Sequence, residues 1–234
     1  MLGRLERWRE ARLLNRTFEH WMRQSALRGR IEAVLQLRPE DLGLSAGEDD
    51  ERGLPGDRQF MESGWYRHML CRYLLALEWA SGKRVLDSCS GLGWGGFLVA
   101  GKARQVVGVD RDVEAVGFCR RRWTEENMEF VEGSVLALPF ENESFDVVMC
   151  MEAIEHFSVE DGERYLAELR RVCRPGGVLV GSSAFPRNRG AADELCSKNE
   201  YHLHVYTRAE MRSVLHAFGT LLRLTPHYFA AEKH

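Results

Sequence analysis

The chain has 234 residues, of which 44% are hydrophobic and 29% charged, with a formal net charge of −3. This suits one sizeable α/β domain plus an extension. A balance this close to neutral sets up no global field toward nucleic acid or anionic lipid, and no apolar run is long enough to span a membrane.

Residues 1 to about 41 carry a helical pattern. Leu5, Trp8, Ala11, Leu14, Phe18, Trp21 and Met22 recur at steps of three and four, which makes one apolar stripe. The opposite face carries Arg4, Arg7, Arg9, Arg12, Arg16 and Arg23. The stripe is expected to pack on the main domain with the arginines in water. The other roles open to it are a cap over an acceptor site or an arm for an anionic acceptor or partner. Met1 to Glu6 lacks the apolar segment of a signal peptide. Asp41 to Asp57 is acidic and holds Gly43, Gly47, Gly53, Pro55 and Gly56, which predicts a loop or linker. The division is therefore a helical extension with its linker over 1–56 and the main domain over 57–234. Trp65 to Leu74 reads as a helix running up to the first strand.

From residue 85 onward apolar runs alternate with helical patterns, which predicts βαβ units and a mostly parallel sheet. Val85-Leu86 ends a strand, and Asp87 follows at once. The next residues, Ser88-Cys89-Ser90-Gly91-Leu92-Gly93-Trp94-Gly95-Gly96, form a loop with bare backbone opening into a helix. Arg104 to Asp110 is a second strand with a carboxylate at its tip. Asp112 precedes a helical run and is a candidate N-cap, which leaves Asp110 for a ligand. Met128 to Val135 reads as the third strand and Ser144 to Met151 as the fourth. Arg174-Pro175-Gly176-Gly177 is a turn leading into Val178 to Ser182. Gly219 to Thr225 and Tyr228 to Lys233 flank Pro226-His227 as a terminal hairpin.

Gly91-x-Gly93-x-x-Gly96 satisfies the dinucleotide fingerprint, so a nicotinamide-dependent oxidoreductase is one reading. Asp87 opposes it. A fixed carboxylate at the strand end repels a pyrophosphate and suits a ligand carrying an ammonium and a sulfonium. Val85-Leu86-Asp87-x-Cys89-x-Gly91-x-Gly93 resembles motif I of the class I S-adenosyl-L-methionine (SAM)-dependent methyltransferases. Cys89 stands where the first glycine of that motif usually is. Leu138-Pro139-Phe140, Ser144 to Met151 and Arg174 to Gly177 resemble the corresponding segments of the type 11 methyltransferase group. The resemblance covers Val85 to the C-terminus and, more loosely, the chain from about Asp57.

That resemblance implies a Rossmann-like three-layer αβα fold. Its seven-stranded, mostly parallel sheet would have strand order 3-2-1-4-5-7-6 and an antiparallel last strand. SAM is the implied cofactor and S-adenosylhomocysteine the product. Asp87, Ser90, Gly91 and Gly93 would meet the methionine end and Asp110 the ribose, with Cys89 and Arg111 also among the cofactor-binding residues. Ser134 stands where the group often has an Asp, and with Val135 it would bound the adenine. Met151 and Glu152 would close the pocket. Arg72 would meet the cofactor carboxylate, or else form a surface salt bridge. Trp94 would wall the methionine moiety, face the sulfonium, or pack under the following helix.

A base is needed only when the acceptor must lose a proton. Glu152, Glu155 and His156 are spaced i, i+3 and i+4, which on a helical turn puts them on one face. His156 is the candidate base and Glu155 its orienting partner, against a purely structural network. Tyr201 and His202 fall in a segment that resembles the acceptor region of type 11 enzymes. The same acids with His202 or His204 also resemble the metal site of small-RNA 3′-end 2′-O-methyltransferases. No basic stripe accompanies them, so nucleic acid is not the expected partner, and the leading reading has no metal. A small-molecule, sugar or lipid-linked acceptor is expected instead. A further rival is a SAM-fold subunit without catalysis, acting through its helical arm. The six scattered cysteines read as buried free thiols, which suits a cytoplasmic setting.

Overall fold

A computed structural model describes residues 2–38, 62 and 65–234. The expected linker at Asp41 to Asp57, and with it the boundary at 56/57, lies outside the described residues.

The chain begins with α1 (Leu2–Met22) and α2 (Ser25–Leu35), followed by α3 (Trp65–Ala80). Then come β1 (Arg84–Ser88), α4 (Trp94–Ala100), β2 (Gln105–Asp110), α5 (Val113–Arg122) and β3 (Met128–Glu132). β4 (Phe145–Met151) leads through a short 3₁₀ turn (Ile154–His156) to α6 (Val159–Val172) and β5 (Cys173–Ser182). The chain closes with α7 (Arg189–Lys198), α8 (Arg208–Phe218), β6 (Gly219–Leu224) and β7 (Tyr228–Lys233).

One sheet holds all seven strands in the order β3-β2-β1-β4-β5-β7-β6, as the resemblance implied. β1 pairs in parallel with β2 through Leu86 and Val107, and with β4 through Leu86 and Val148. These strands are apolar without alternation because helices cover both faces of a parallel sheet. β7 enters antiparallel between β5 and β6. The strand order reverses at β1, so a crevice opens outside the carboxyl ends of β1, β2 and β4.

Two boundaries differ from expectation. β3 ends at Glu132, and Gly133 to Val135 continue as a loop. Arg174 to Gly177 is not a turn before β5 but an irregular stretch inside it. The pairing passes from Phe145–Cys173 directly to Val147–Val178, with Gly176 at φ 69°.

The extension forms two helices that pack on α3 and α4. Leu14, Leu27, Ile31, Val34 and Leu37 are buried, and the Cys71 thiol donates to the Leu14 carbonyl at 3.2 Å. Arg30 lies over the Phe97 ring at 4.4 Å and donates to the Phe97 carbonyl and to Glu125. Among the described residues, the part of the stripe from Leu14 onward is used in packing.

At the opposite edge of the sheet Asp146 accepts from the Arg84 amide at 2.7 Å and pairs with Arg174 at 2.8 Å. This ties the amino ends of β1, β4 and β5 together.

Candidate active site

The turn after β1 places backbone where side chains would block it. Gly91 has φ 50°, and a Cβ there would meet nothing within 4 Å, so its backbone faces open space. Cys89 takes φ 55°, the conformation the glycine it replaces would adopt without strain. Gly93 is different: a Cβ would come within 2.7 Å of the Phe130 ring, so this glycine serves packing. Gly96 lies against Asp87, where a Cβ would sit 3.0 Å from Oδ2.

The turn floors a cavity of about 710 Å³. Of the residues expected from sequence, Arg72, Cys89, Ser90, Gly91, Asp110, Arg111, Ser134, Val135, Met151, Glu152, Glu155, His156, Tyr201 and His202 line it. Asp87 and Gly93 do not. Asp87 is wholly buried beneath the floor, and neither carboxylate oxygen reaches hydrogen-bond geometry with a partner. Burial pushes its pKa up to about 7, with the Gly96 amide pulling it down and Asp110 pushing it up. Asp87 thus lies behind the lining residues, against the Gly96 backbone of the turn.

Asp110 stands at the tip of β2. Its Oδ2 accepts from the Gly91 amide at 2.7 Å and its Oδ1 from the Asp112 amide at 3.0 Å. Each oxygen keeps further acceptor capacity for a diol. Asp112 caps α5 by accepting from the Glu114 and Ala115 amides, the division of labour expected from sequence. Ser134 accepts from the Leu136 amide at 3.2 Å and stays at the cavity edge.

Arg72 is buried, not on the surface, and pairs with Glu152 at 2.8 Å. Trp94 lines the cavity with its ring edge-on to Tyr73 at 4.9 Å. Tyr73, paired with Arg72 in the resemblance, lines the cavity too. Sequence reasoning missed Met69, which shares the α3 face of Arg72, and also Phe157 and the loop positions Leu92 and Leu136. Helical spacing from Arg72 was the signal that could have found Met69.

The expected common helical face of Glu152, Glu155 and His156 does not form. Glu152 takes φ 46° and donates its amide to the Ser182 carbonyl at 2.9 Å, which ends β4. Only the 3₁₀ turn at Ile154–His156 follows. The three side chains nonetheless line the same cavity because the chain reverses there. Glu155 is 2% exposed, and its Oε2 has no hydrogen-bond partner. Burial first, then the charge of Glu152, raises its pKa well above the usual carboxylate range. The Glu155 carbonyl accepts from the amides of Leu203 and His204, which ties the 199–204 segment to this turn. His156 Nδ1 lies 3.2 Å from the Tyr201 carbonyl, and its ring meets His202 edge-on at 5.3 Å. His204 packs on Tyr206 instead and does not line the cavity.

These residues fit SAM. The buried Asp87 carboxylate under bare backbone suits a cation, the braced Asp110 suits a ribose diol, and the pocket size is ordinary for a cofactor. A pyrophosphate over Asp87 does not fit.

A family model described as "Methyltransferase domain" matches residues 85–177. The chain is 31% identical over 169 residues to a Mycolicibacterium smegmatis protein named "Probable S-adenosylmethionine-dependent methyltransferase". It is 32% identical over 160 residues to the fatty-acid O-methyltransferase of the same species. The matches cover 72% and 66% of this chain, which spans only 63% and 57% of the length of those relatives. The fold matches the PH0226 protein from Pyrococcus horikoshii with a TM-score of 0.61 at 21% identity, over 76% of this chain and 93% of that one. Residues 85–177 are thus similar to a methyltransferase domain, and 72% of the chain is similar to a SAM-dependent methyltransferase, an enzyme type whose cofactor is SAM.

Proposed function

We propose that this chain moves the methyl group of SAM to an oxygen of a small-molecule or lipid acceptor, with both reactants in the one cavity. The observation that carries this reading is the arrangement of its walls. Gly91 and Asp110 offer a bare, acid-braced cradle on one side. Glu155 and His156 bring an imidazole and a buried carboxyl to the other.

Methyl transfer from a sulfonium is an in-line displacement with a good leaving group already in place. The protein's task is therefore to align the nucleophile and exclude water. Asp110 and the Gly91 turn would hold the cofactor, and the buried Asp87 carboxylate would favour its positive charge. Arg72 and Glu152 pair at 2.8 Å on the wall of the same cavity. His156 takes the acceptor proton as the oxygen–carbon bond forms and the carbon–sulfur bond breaks, which leaves S-adenosylhomocysteine. The acids Asp110, Asp112, Glu152 and Glu155 outnumber Arg72 and Arg111 on the walls, which disfavours a polyphosphate acceptor. A fatty-acid O-methyltransferase among the relatives supports an oxygen acceptor on a lipid or small molecule. Among the described residues no helix is long and apolar enough to cross a membrane.

Calorimetry with SAM, S-adenosylhomocysteine and NAD⁺ tests the cofactor half. Binding of the first two and not the third is expected, and the reverse overturns the reading. Methyl-labelled SAM with panels of hydroxy and carboxy lipids tests the acceptor half. His156→Ala should lower turnover at least ~100-fold with unchanged SAM affinity.

A further inference from the structure

We propose that Glu155, His156 and His202 hold a divalent transition-metal ion on the acceptor wall, and that its open positions take the acceptor's hydroxyl or carboxylate oxygen. One ligand atom from each of the three side chains lies within 4.8 Å of the other two. Glu155 adds an independent observation: it is 2% exposed, faces the cavity, and its Oε2 has no hydrogen-bond partner. A buried carboxylate oxygen without a hydrogen-bond partner, on a residue at a cavity wall, suits a cation.

The surroundings orient the two rings. If His156 donates from Nδ1 to the Tyr201 carbonyl at 3.2 Å, its Nε2 carries the lone pair. A carbonyl on the far ring nitrogen is the usual brace for an imidazole ligand. Asn199 Oδ1 accepts from the Tyr201 amide at 3.0 Å, which turns its NH₂ toward His202 Nε2 at 3.2 Å and holds that ring in place. The Glu155 carbonyl accepts from Leu203 and His204, so the segment carrying His202 is fastened to the turn carrying the other two ligands. Metal–ligand bonds of about 2.0–2.1 Å need ligand atoms roughly 3–4 Å apart. The side chains must therefore draw in by up to about an ångström, within reach of χ rotation. Two imidazoles and one carboxylate suit zinc, iron(II) or cobalt over magnesium or calcium. Three protein ligands leave room for substrate, the pattern of catalytic sites. With an ion present, His156 acts as a ligand, the acceptor oxygen becomes more acidic, and its proton passes to water. Only this acceptor role rests on the methyl-transfer reading.

The test is titration of the chelator-treated full chain with zinc chloride and cobalt chloride, with and without S-adenosylhomocysteine. One ion per chain is expected, with a cobalt spectrum of nitrogen and oxygen ligation. His202→Ala and the near-isosteric Glu155→Gln should each weaken the ion at least tenfold. Cys196→Ser should leave it unchanged, and His202→Ala should keep the wild-type melting curve and S-adenosylhomocysteine affinity. Equal ion affinity in His202→Ala and wild type, or a thiolate signature in the cobalt spectrum, overturns the proposal. Ion binding as expected with no binding of S-adenosylhomocysteine supports the metal site while sinking the methyl-transfer reading.

Discussion

Asp87→Asn should make the ligand-free protein more stable and the cofactor complex weaker. The Asp87 carboxyl is raised from 3.8 to about 7, chiefly by burial. A shift of roughly three units at about 1.4 kcal/mol each corresponds to about 4 kcal/mol. Because the folded-state pKa is the higher one, the folded chain binds the proton more tightly between those two values. Stability from this group is thus present at acid pH and lost as pH rises from about 4 to about 7. At pH 8 the ionised carboxylate costs the ligand-free fold up to ~4 kcal/mol, and at pH 5 about 2 kcal/mol. Asparagine removes that pH dependence. Its amide needs partners of its own, so these figures are upper bounds. Melting curves should show the variant ahead of wild type by up to about 8–16 °C at pH 8, with a smaller lead at pH 5. Calorimetry at pH 8 should show SAM affinity reduced at least ~10-fold, because the ligand's cationic groups lose their counter-charge. A variant that melts below wild type at pH 8, or binds SAM equally well, would refute the reasoning.

Asp110→Asn should weaken SAM and S-adenosylhomocysteine alike by at least ~10-fold. It should also cost about 1–2 kcal/mol in urea unfolding, since the Gly91 and Asp112 amides lose their carboxylate. Gly93→Ala puts a Cβ 2.7 Å from the Phe130 ring at φ 70° and should destabilise by about 2 kcal/mol or more, read from the same assay. Ile31→Ala empties a fully buried position in α2 and should cost about 2–4 kcal/mol. SAM affinity should not change in that variant, and a changed affinity would show that the extension reaches the site.

What the sequence disclosed was carried by local signals. The strand order followed from a family resemblance that rests on ordered motifs. The split between Asp110 as ligand group and Asp112 as cap followed from cap chemistry two residues apart. What stayed hidden depends on contacts between distant segments. Glu152 leaves helical geometry because its amide is bound by Ser182, thirty positions away, so i, i+3, i+4 spacing misdescribed that corner. The burial of Arg72 by Glu152 is equally non-local. Asp87 and Gly93 sit in a motif that is read as a unit, yet neither lines the cavity: Asp87 packs against Gly96 and Gly93 against the Phe130 ring, a contact from β3. That His202 rather than His204 lines the cavity depends on how the 199–204 segment is fastened to the distant Glu155 turn, and spacing does not encode that.

The clamp at Asp146 sets one rim of the sheet against the other. There, charges and amides are matched, and the strands have no reason to move. At the far rim Asp87, Ser90, Glu152 and Glu155 each keep a buried oxygen idle. The molecule is thus finished at its base and incomplete at its mouth. Occupancy should be felt there first, as slower amide exchange around the turn and the 3₁₀ corner, while exchange at the base stays as it was.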